Sequence, residues 1–305
     1  MTPSTAIKQQ PQRSILDKPI LIAIPILIGL FLTRSPFFMS APALDLAAPN
    51  AQPWADTPIA LVTTPQYETN KTDLFTTGAT HMALLHNAIL RGFNSVYQQA
   101  PHIKPADIPN FIGYSLTWHK FVVSHHDDEE VTLFPKVEQV LQDTAIWEGT
   151  HKEHEAFLGG LAEFAKYLRA AQAKPDSFDG AELARIMDGF RDSFADHFHS
   201  EIQTIAALAD HPNAPTLGTP EADLAAETFK AWGKNTVTKA GTLDVVPFFL
   251  LNLDGTAEEG KWENWPPIPA PVKWGLVNIA GAWHARWWQF SSCAGGKPRK
   301  LYALQ

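Results

Sequence analysis

Two histidine–glutamate pairs, His125-x-x-x-Glu129 and His197-x-x-x-Glu201, stand inside runs of apolar residues that repeat with helical spacing. A four-residue step is about one helical turn, so each pair lies on one face of its helix, and that face is the apolar one. Burying an unpaired carboxylate costs several kcal/mol or drives its pKa upward, so a glutamate on a core-facing stripe needs a compensating partner. A bound cation is such a partner. One His-x-x-x-Glu alone reads as a surface ion pair worth a few tenths of a kcal/mol; its recurrence on separate helices is what calls for more.

Helical periodicity runs in four blocks between about Leu74 and Leu208, broken at Pro101/Pro105/Pro109, near Gln142-Asp143-Thr144 and at Pro175-Asp176. The first block aligns Met82, His86, Ile89, Phe93 and Val96; the second Trp118, Val122, His125, Glu129 and Leu133. The third aligns Trp147, His151, His154, Leu158, Leu161 and Ala165; the fourth Ile186, Phe190, Phe194, His197, Glu201, Ile205 and Leu208. Groups that meet at one height on neighbouring antiparallel helices lie equidistant from the turn between them. The midpoint of His86 and His125 falls beside Pro105, and that of His154 and His197 at Pro175-Asp176. Glu129 and His154 have theirs just before Gln142. The pattern predicts an all-α, antiparallel up-down four-helix bundle carrying its histidines and glutamates at one level.

The stretches HNAILRGFNSVYQQAP (His86 to Pro101), HHDDEEVTLFP (His125 to Pro135), KEHEAFLGGL (Lys152 to Leu161) and HFHSEI (His197 to Ile202) resemble the hemerythrin-like, HHE cation-binding domains, and fungal members of that family above all. The resemblance covers about residues 74 to 210. It implies that His86, His125, Glu129, His154, His197 and Glu201 are metal ligands, with Glu129 and Glu201 as bridging carboxylates. Oxygen-carrying members place two ligand histidines four apart on the third helix; here Thr150 precedes His154 by four and His151 by three. They also end the fourth helix's site with an aspartate five residues after its histidine, where this chain has Glu201 four after His197. Reversible oxygen carriage is therefore not implied.

The second helix offers another register, since His126-x-x-x-Glu130 repeats the spacing one residue along. His125 and Glu129 are preferred because Trp118 and Val122 continue their face, and because the family carries a Phe-Pro pair where Phe134-Pro135 stand. On this reading Glu130 faces outward and Glu130→Ala leaves metal content almost unchanged. His151, His126 and Glu130 remain secondary ligand candidates. Pro135 is expected to kink the helix beyond the site. Tyr114 and Tyr167 could reach the interior and hydrogen-bond groups behind the ligands.

Cys293 is the only cysteine, so a thiolate cluster and an intrachain disulfide are both excluded. Imidazole and carboxylate donors suit a non-haem di-iron centre ahead of manganese or zinc. Six protein ligands shared by two metals leave room for dioxygen, peroxide or nitric oxide. The reading is thus an iron protein that binds such a ligand for sensing, storage or iron handling; the alternatives are a di-iron oxidase or peroxidase, and a helical scaffold with structural histidines. A formal net charge of −8 without any Lys/Arg-rich run argues against nucleic acid as a partner. No nucleophile triad or phosphate-cradling glycine loop is present.

The chain divides into four segments: residues 1–40 as a basic and apolar leader or membrane anchor, 41–73 as an Ala- and Pro-rich linker, 74–210 as the bundle, and 211–305 as a Trp- and Pro-rich C-terminal extension packed on it. The uncharged run Pro19 to Thr33 is short for a bilayer span, though Phe37 to Met39 extend it. Membrane association through residues 19–39 competes with cleavage as a signal peptide, so the sequence does not fix a compartment. Residues 221–234 and 271–290 are expected to be helical. The extension's tryptophans carry more aromatic surface than water tolerates.

Overall fold

The computed structural model describes residues 55–305, and the leader and the apolar run at 19–39 lie outside them. Among the described residues the fold is all-α apart from a two-residue antiparallel ladder, Cys293–Ala294 with Lys297–Pro298. Helices run α1 (Pro65–Thr69), α2 (Leu74–Gln99), α3 (Ile108–Asp128), α4 (Phe134–Leu141), α5 (Glu148–Ala173), α6 (Gly180–Ala207), α7 (Pro220–Ala240), α8 (Val245–Leu250) and α9 (Ala270–Gly275). Side-chain caps start two of the long helices: Asp73 accepts from the Thr76 amide and Asp179 from those of Ala181 and Glu182. The proline-bearing segments 101–109 and 175 separate α2 from α3 and α5 from α6, where the sequence placed its breaks.

α2 packs on α6 and α3, and α5 packs on α6 and α3. Ring contacts give the direction of each pair. Between α2 and α3, His86 meets His125 and Phe93 meets Trp118; between α5 and α6, His154 meets His197 and Phe157 meets Phe194. The numbers rise on one helix as they fall on the other, so these neighbours are antiparallel. Along the helices the site residues fall between two buried apolar clusters. One contains Phe93, Trp118, Phe164, Phe190 and Phe194, the other Leu133, Phe134, Trp147, Ile202 and Ile205.

The first and second stripes are buried as the spacing predicts, but the third is rotated. On α5 the core face is Thr150, His154, Phe157, Leu161, Phe164 and Leu168, while His151 and Leu158 sit at its flank. The larger aromatic rings Phe157 and Phe164 claim the interior, since they bury more apolar surface than the residues beside them. α3 does not run on smoothly into α4. Glu129–Leu133 form a π-helical turn in which the Phe134 amide donates to the Glu129 carbonyl, and Pro135 comes next, within the first turn of α4. Pro135 has no N–H to offer the preceding turn, so the disruption expected at the proline is taken up before it.

Part of the segment read as a linker is packed. Ile59 is buried, its amide donates to the Asn94 side chain, and the Arg91 guanidinium on α2 joins Asp56 to Asp254 at 3.0 and 3.1 Å. α7 lies against α3 and α2, and α8 against α3. The helical stretch expected at 271–290 is α9 followed by a π turn and two 3-10 turns. Trp232, Trp288 and Phe290 are buried in the extension, whereas Trp274 and Trp283 stay exposed. Tyr114 hydrogen-bonds Asn252 of the extension and Tyr167 the Asp179 carbonyl, so neither stands behind a site residue as anticipated. Among the described residues no helix is long and apolar enough to cross a membrane.

Packing is close at Gly92 on α2, where Trp118 from α3 and Phe248 from α8 meet. A Cβ at Gly92 would stand 2.5 Å from Trp118 and 2.7 Å from Phe248, both fully buried. Gly92→Ala is therefore expected to cost about 1–3 kcal/mol, read as a lower urea midpoint with an unchanged m-value. An unshifted midpoint would show that the two rings are free to move aside.

Candidate metal centre

His86 comes from α2, His125 from the end of α3, Glu129 from the π turn, His154 from α5, and His197 and Glu201 from α6. All six are essentially shielded from solvent, at 0–1% exposure. The Nε2 atoms of His86 and His125 are 3.1 Å apart, and those of His154 and His197 are 3.2 Å apart. Each glutamate spans the two histidine pairs. Glu129 reaches His125 through Oε1 at 2.9 Å and His154 through Oε2 at 3.7 Å; Glu201 Oε2 lies 3.2 Å from His86 and 3.8 Å from His197. Two overlapping clusters result, His86/His125/Glu129/Glu201 and Glu129/His154/His197, each with its candidate donor atoms within 4.8 Å of one another. The structure thus brings the six sequence-predicted residues together.

Backbone and carboxylate acceptors orient the rings. His86 Nδ1 donates to the Phe198 carbonyl at 3.0 Å, and His154 Nδ1 to Glu130 Oε1 at 2.6 Å. Neither acceptor carries a proton to give back, so in both residues the bare lone pair is on Nε2, directed at the partner histidine. His197 Nδ1 lies 3.5 Å from Glu153, an electrostatic contact longer than a hydrogen bond, and Ser200 donates to that carboxylate at 2.7 Å. Phe157 and Phe198 line the ring side of the histidines with Phe194 behind them, and the tilted Trp232 ring of α7 lies 5.8 Å from that of His125.

Left to protein atoms alone, this cluster is electrostatically costly. Both oxygens of Glu129 and of Glu201 are buried without a hydrogen bond of good geometry, as is His125 Nδ1. Burial, and then the Glu201 charge, push the Glu129 carboxyl well above its usual range. Glu201 is also pushed upward by burial, but the His86 contact and the surrounding imidazoles hold it below the ordinary value. Burial, followed by the neighbouring histidines, carries His125 well below its normal pKa and His154 down to about 4. Four imidazoles beside two carboxylates form a nitrogen–oxygen donor set able to hold a metal cation, which would supply the missing positive charge.

The alternative register falls outside this cluster but next to it. Glu129 is buried and Glu130 is 29% exposed, as the preferred register required. Glu130 is not a solvated flank, however, since it holds both His154 and, at 2.9 Å, His151. Those two hydrogen bonds outweigh its partial burial and lower its pKa. The expectation that Glu130 is a solvated flank is therefore corrected. It escaped sequence reading because spacing along α3 says nothing about what α5 presents to it. Glu153 was missed for the same reason.

A buried cluster of four imidazoles and two carboxylates in a helical chain is a donor set able to hold a cation. Residues 77–209 match the family described as hemerythrin HHE cation binding domain. The chain is similar to the fungal "Dimeric xanthone biosynthesis cluster protein R11" of Cryptosporiopsis sp. (strain 8999), at 29% identity over 254 residues, 81% of this chain and 92% of the relative. That alignment is longer than the family segment, so the likeness extends beyond it. No solved structure matches the chain.

Glu130→Ala removes the acceptor that fixes the His154 tautomer, and is expected to weaken metal binding by about 10- to 100-fold. Glu130→Gln keeps a carbonyl acceptor and is expected to recover part of that loss. Competition against a chelator of known affinity measures both, and equal affinity for wild type and Glu130→Ala would remove Glu130 from the account.

Proposed function

We propose that residues 74–210 form an antiparallel up-down four-helix bundle in which His86, His125, Glu129, His154, His197 and Glu201 hold a non-haem di-iron centre that binds a small exogenous ligand such as dioxygen, peroxide or nitric oxide. The observation that carries this reading is that each buried glutamate reaches one histidine of each pair. A carboxylate with two oxygens facing two donor sets is suited to bridge two cations. The orphaned carboxylate oxygens support the fit, since four buried acceptor atoms without hydrogen bonds are costly unless a cation satisfies them. Imidazole with carboxylate favours iron over the harder or softer alternatives, with manganese or zinc as other occupants.

When bound, two redox-active metals supply open positions for the small ligand and electrons for its reduction. The chain's own part is different. His86 and His154 are oriented by the Phe198 carbonyl and Glu130, which keeps Nε2 unprotonated and inward-facing. Phe157, Phe194, Phe198 and Trp232 exclude bulk water from the ring side. The packed segments 55–73 and 211–305 serve, on this reading, as an outer shell that stiffens α2 and α3.

A di-iron oxidase or peroxidase is the second reading. It is favoured by the relative, whose name ties it to a dimeric xanthone biosynthesis cluster. The irregular spacing of His151 and His154 also favours it, because the flank position of His151 leaves that side with fewer protein ligands.

Metal analysis of freshly purified protein is expected to give about two irons per chain, and Glu201→Ala to lower that content by removing one bridge. One iron or none in the wild type would defeat the di-iron reading. Mixing the reduced protein with oxygen separates the two functions: a spectrum that reverses under vacuum marks a binder, and rapid oxidation with consumption of peroxide marks the enzyme. The first reading expects the reversible spectrum, and rapid oxidation would replace it with the second.

A further inference from the structure

The C-terminal extension keeps an apolar face in solvent. Val272 and Trp274 of α9, Ile279 of the π turn Leu276–Ala280 and Trp283 of the 3-10 turn Gly281–His284 are 50, 61, 69 and 79% exposed. The other exposed residues from Ala270 to Arg286 are one proline, three alanines, Asn278 and Arg286. This face cannot turn inward, because the segment is held from beneath. Leu276 packs on the buried core, Trp288 donates its indole N–H to the Gly281 carbonyl at 2.6 Å, and a Cβ on Gly281 would stand 3.1 Å from Pro247 of α8. A run of apolar side chains fixed in water in this way marks an interaction surface.

Charge indicates what covers it. In a chain of net charge −8, the stretch from Asn264 to Gln305 holds Lys273, Arg286, Lys297, Arg299 and Lys300 and no Asp or Glu. Arg286 is exposed and, among the described residues, forms no ion pair. Lys273 sits between Val272 and Trp274, its ammonium donating to the Trp265 carbonyl at 3.3 Å. Asp244, whose charge reaches His284, is bound to Lys120 at 2.7 Å. A second copy seated here would set the cations of both copies against each other, whereas an anionic surface complements them. Tryptophan, with an apolar body and one N–H, settles at the headgroup level of a bilayer. We propose that the face from Val272 to Arg286 binds the surface of an anionic phospholipid bilayer. Trp274, Ile279 and Trp283 enter the acyl boundary, and Lys273 and Arg286 meet the headgroup phosphates. Such a face lies on the bilayer without crossing it, and binds reversibly. A second apolar element, Pro19 to Thr33 between Lys18 and Arg34, lies outside the described residues, so the measurement has to report on this face alone.

The full-length chain allows such a measurement. Cys293, its only cysteine, is buried, and burial pushes its thiol up to about 11, so Ile279→Cys takes a solvent-sensitive fluorophore selectively. Phosphatidylcholine vesicles containing phosphatidylserine are expected to shift the label's emission to the blue, and a quencher carried on the lipid chains to extinguish it. Added to the labelled chain, Trp274→Ser and Trp283→Ser are each expected to raise the lipid concentration at half-response about tenfold. Arg286→Ala is expected to raise it about fivefold at low salt. All three side chains are exposed, so the variants carry little risk to folding, and helical circular dichroism checks them. A label unmoved by these vesicles overturns the proposal even where the chain co-sediments with them. An equal response to phosphatidylcholine alone also overturns it. So does a response without lipid that grows with protein concentration, which would assign the face to a second copy.

Discussion

Everything in this fold is arranged around two carboxylates in a place where carboxylates are unfavourable. Glu129 and Glu201 are fully buried, face each other across the centre, and find only imidazoles within reach. Desolvation, with their repulsion added, drives the Glu129 carboxyl upward, and burial lowers the pKa of His125 and His154. A cation held by these carboxylates and imidazoles would offset each of these penalties. Such a cation would turn the polar layer from a defect in the core into the reason for its shape.

Holding such a layer requires the helices to stay in register, and the aromatic residues on either side do this. Trp118 donates its indole N–H to the Ile89 carbonyl at 3.0 Å and packs against Phe93, Phe164 and Phe194. On the other side Phe134 stacks on Trp147 at 4.2 Å. Because interiors pack like crystals, a helix sliding past these rings must first create a void. The segments beyond the four long helices act on the same positions. Trp232 of α7 closes over His125, and Phe248 of α8 presses Gly92 against Trp118. Burial of aromatic side chains from the extension thus reinforces the helices that carry the site.

The helical class, the breaks and the six converging residues were legible because they rest on periodicity within a helix and on equal distances from turns, which numbering alone expresses. The first and second stripes illustrate this. What failed was anything decided between helices. His151 and Leu158 satisfied the spacing of α5 as well as Phe157 and Phe164 did, and only the volume available inside chose between them. Glu130 looked like a surface residue because its partners, His151 and His154, lie more than twenty positions away. The packing of Ile59 and the Arg91 ion pair with Asp56 and Asp254 was hidden for the same reason: Ala- and Pro-rich composition describes a segment's propensity and not its contacts.

The π turn at Glu129–Leu133 shows how these levels meet. A regular helix turns about 100° per residue, so Glu130 would point well away from the face of His125 and Glu129. Widening the turn by one residue narrows that step, letting Glu129 face the centre while Glu130 stays close enough to hold His154 from behind. It also resets the phase at the start of α4, so that Phe134 lies parallel to the His154 ring, with centroids 5.9 Å apart, as well as to Trp147. Pro135 supplies the local cause, since a residue without an N–H weakens the regular turn before it. One proline therefore permits two consecutive glutamates to serve one histidine from opposite sides, the first toward Nε2 and the second at Nδ1, which an uninterrupted helix would not allow.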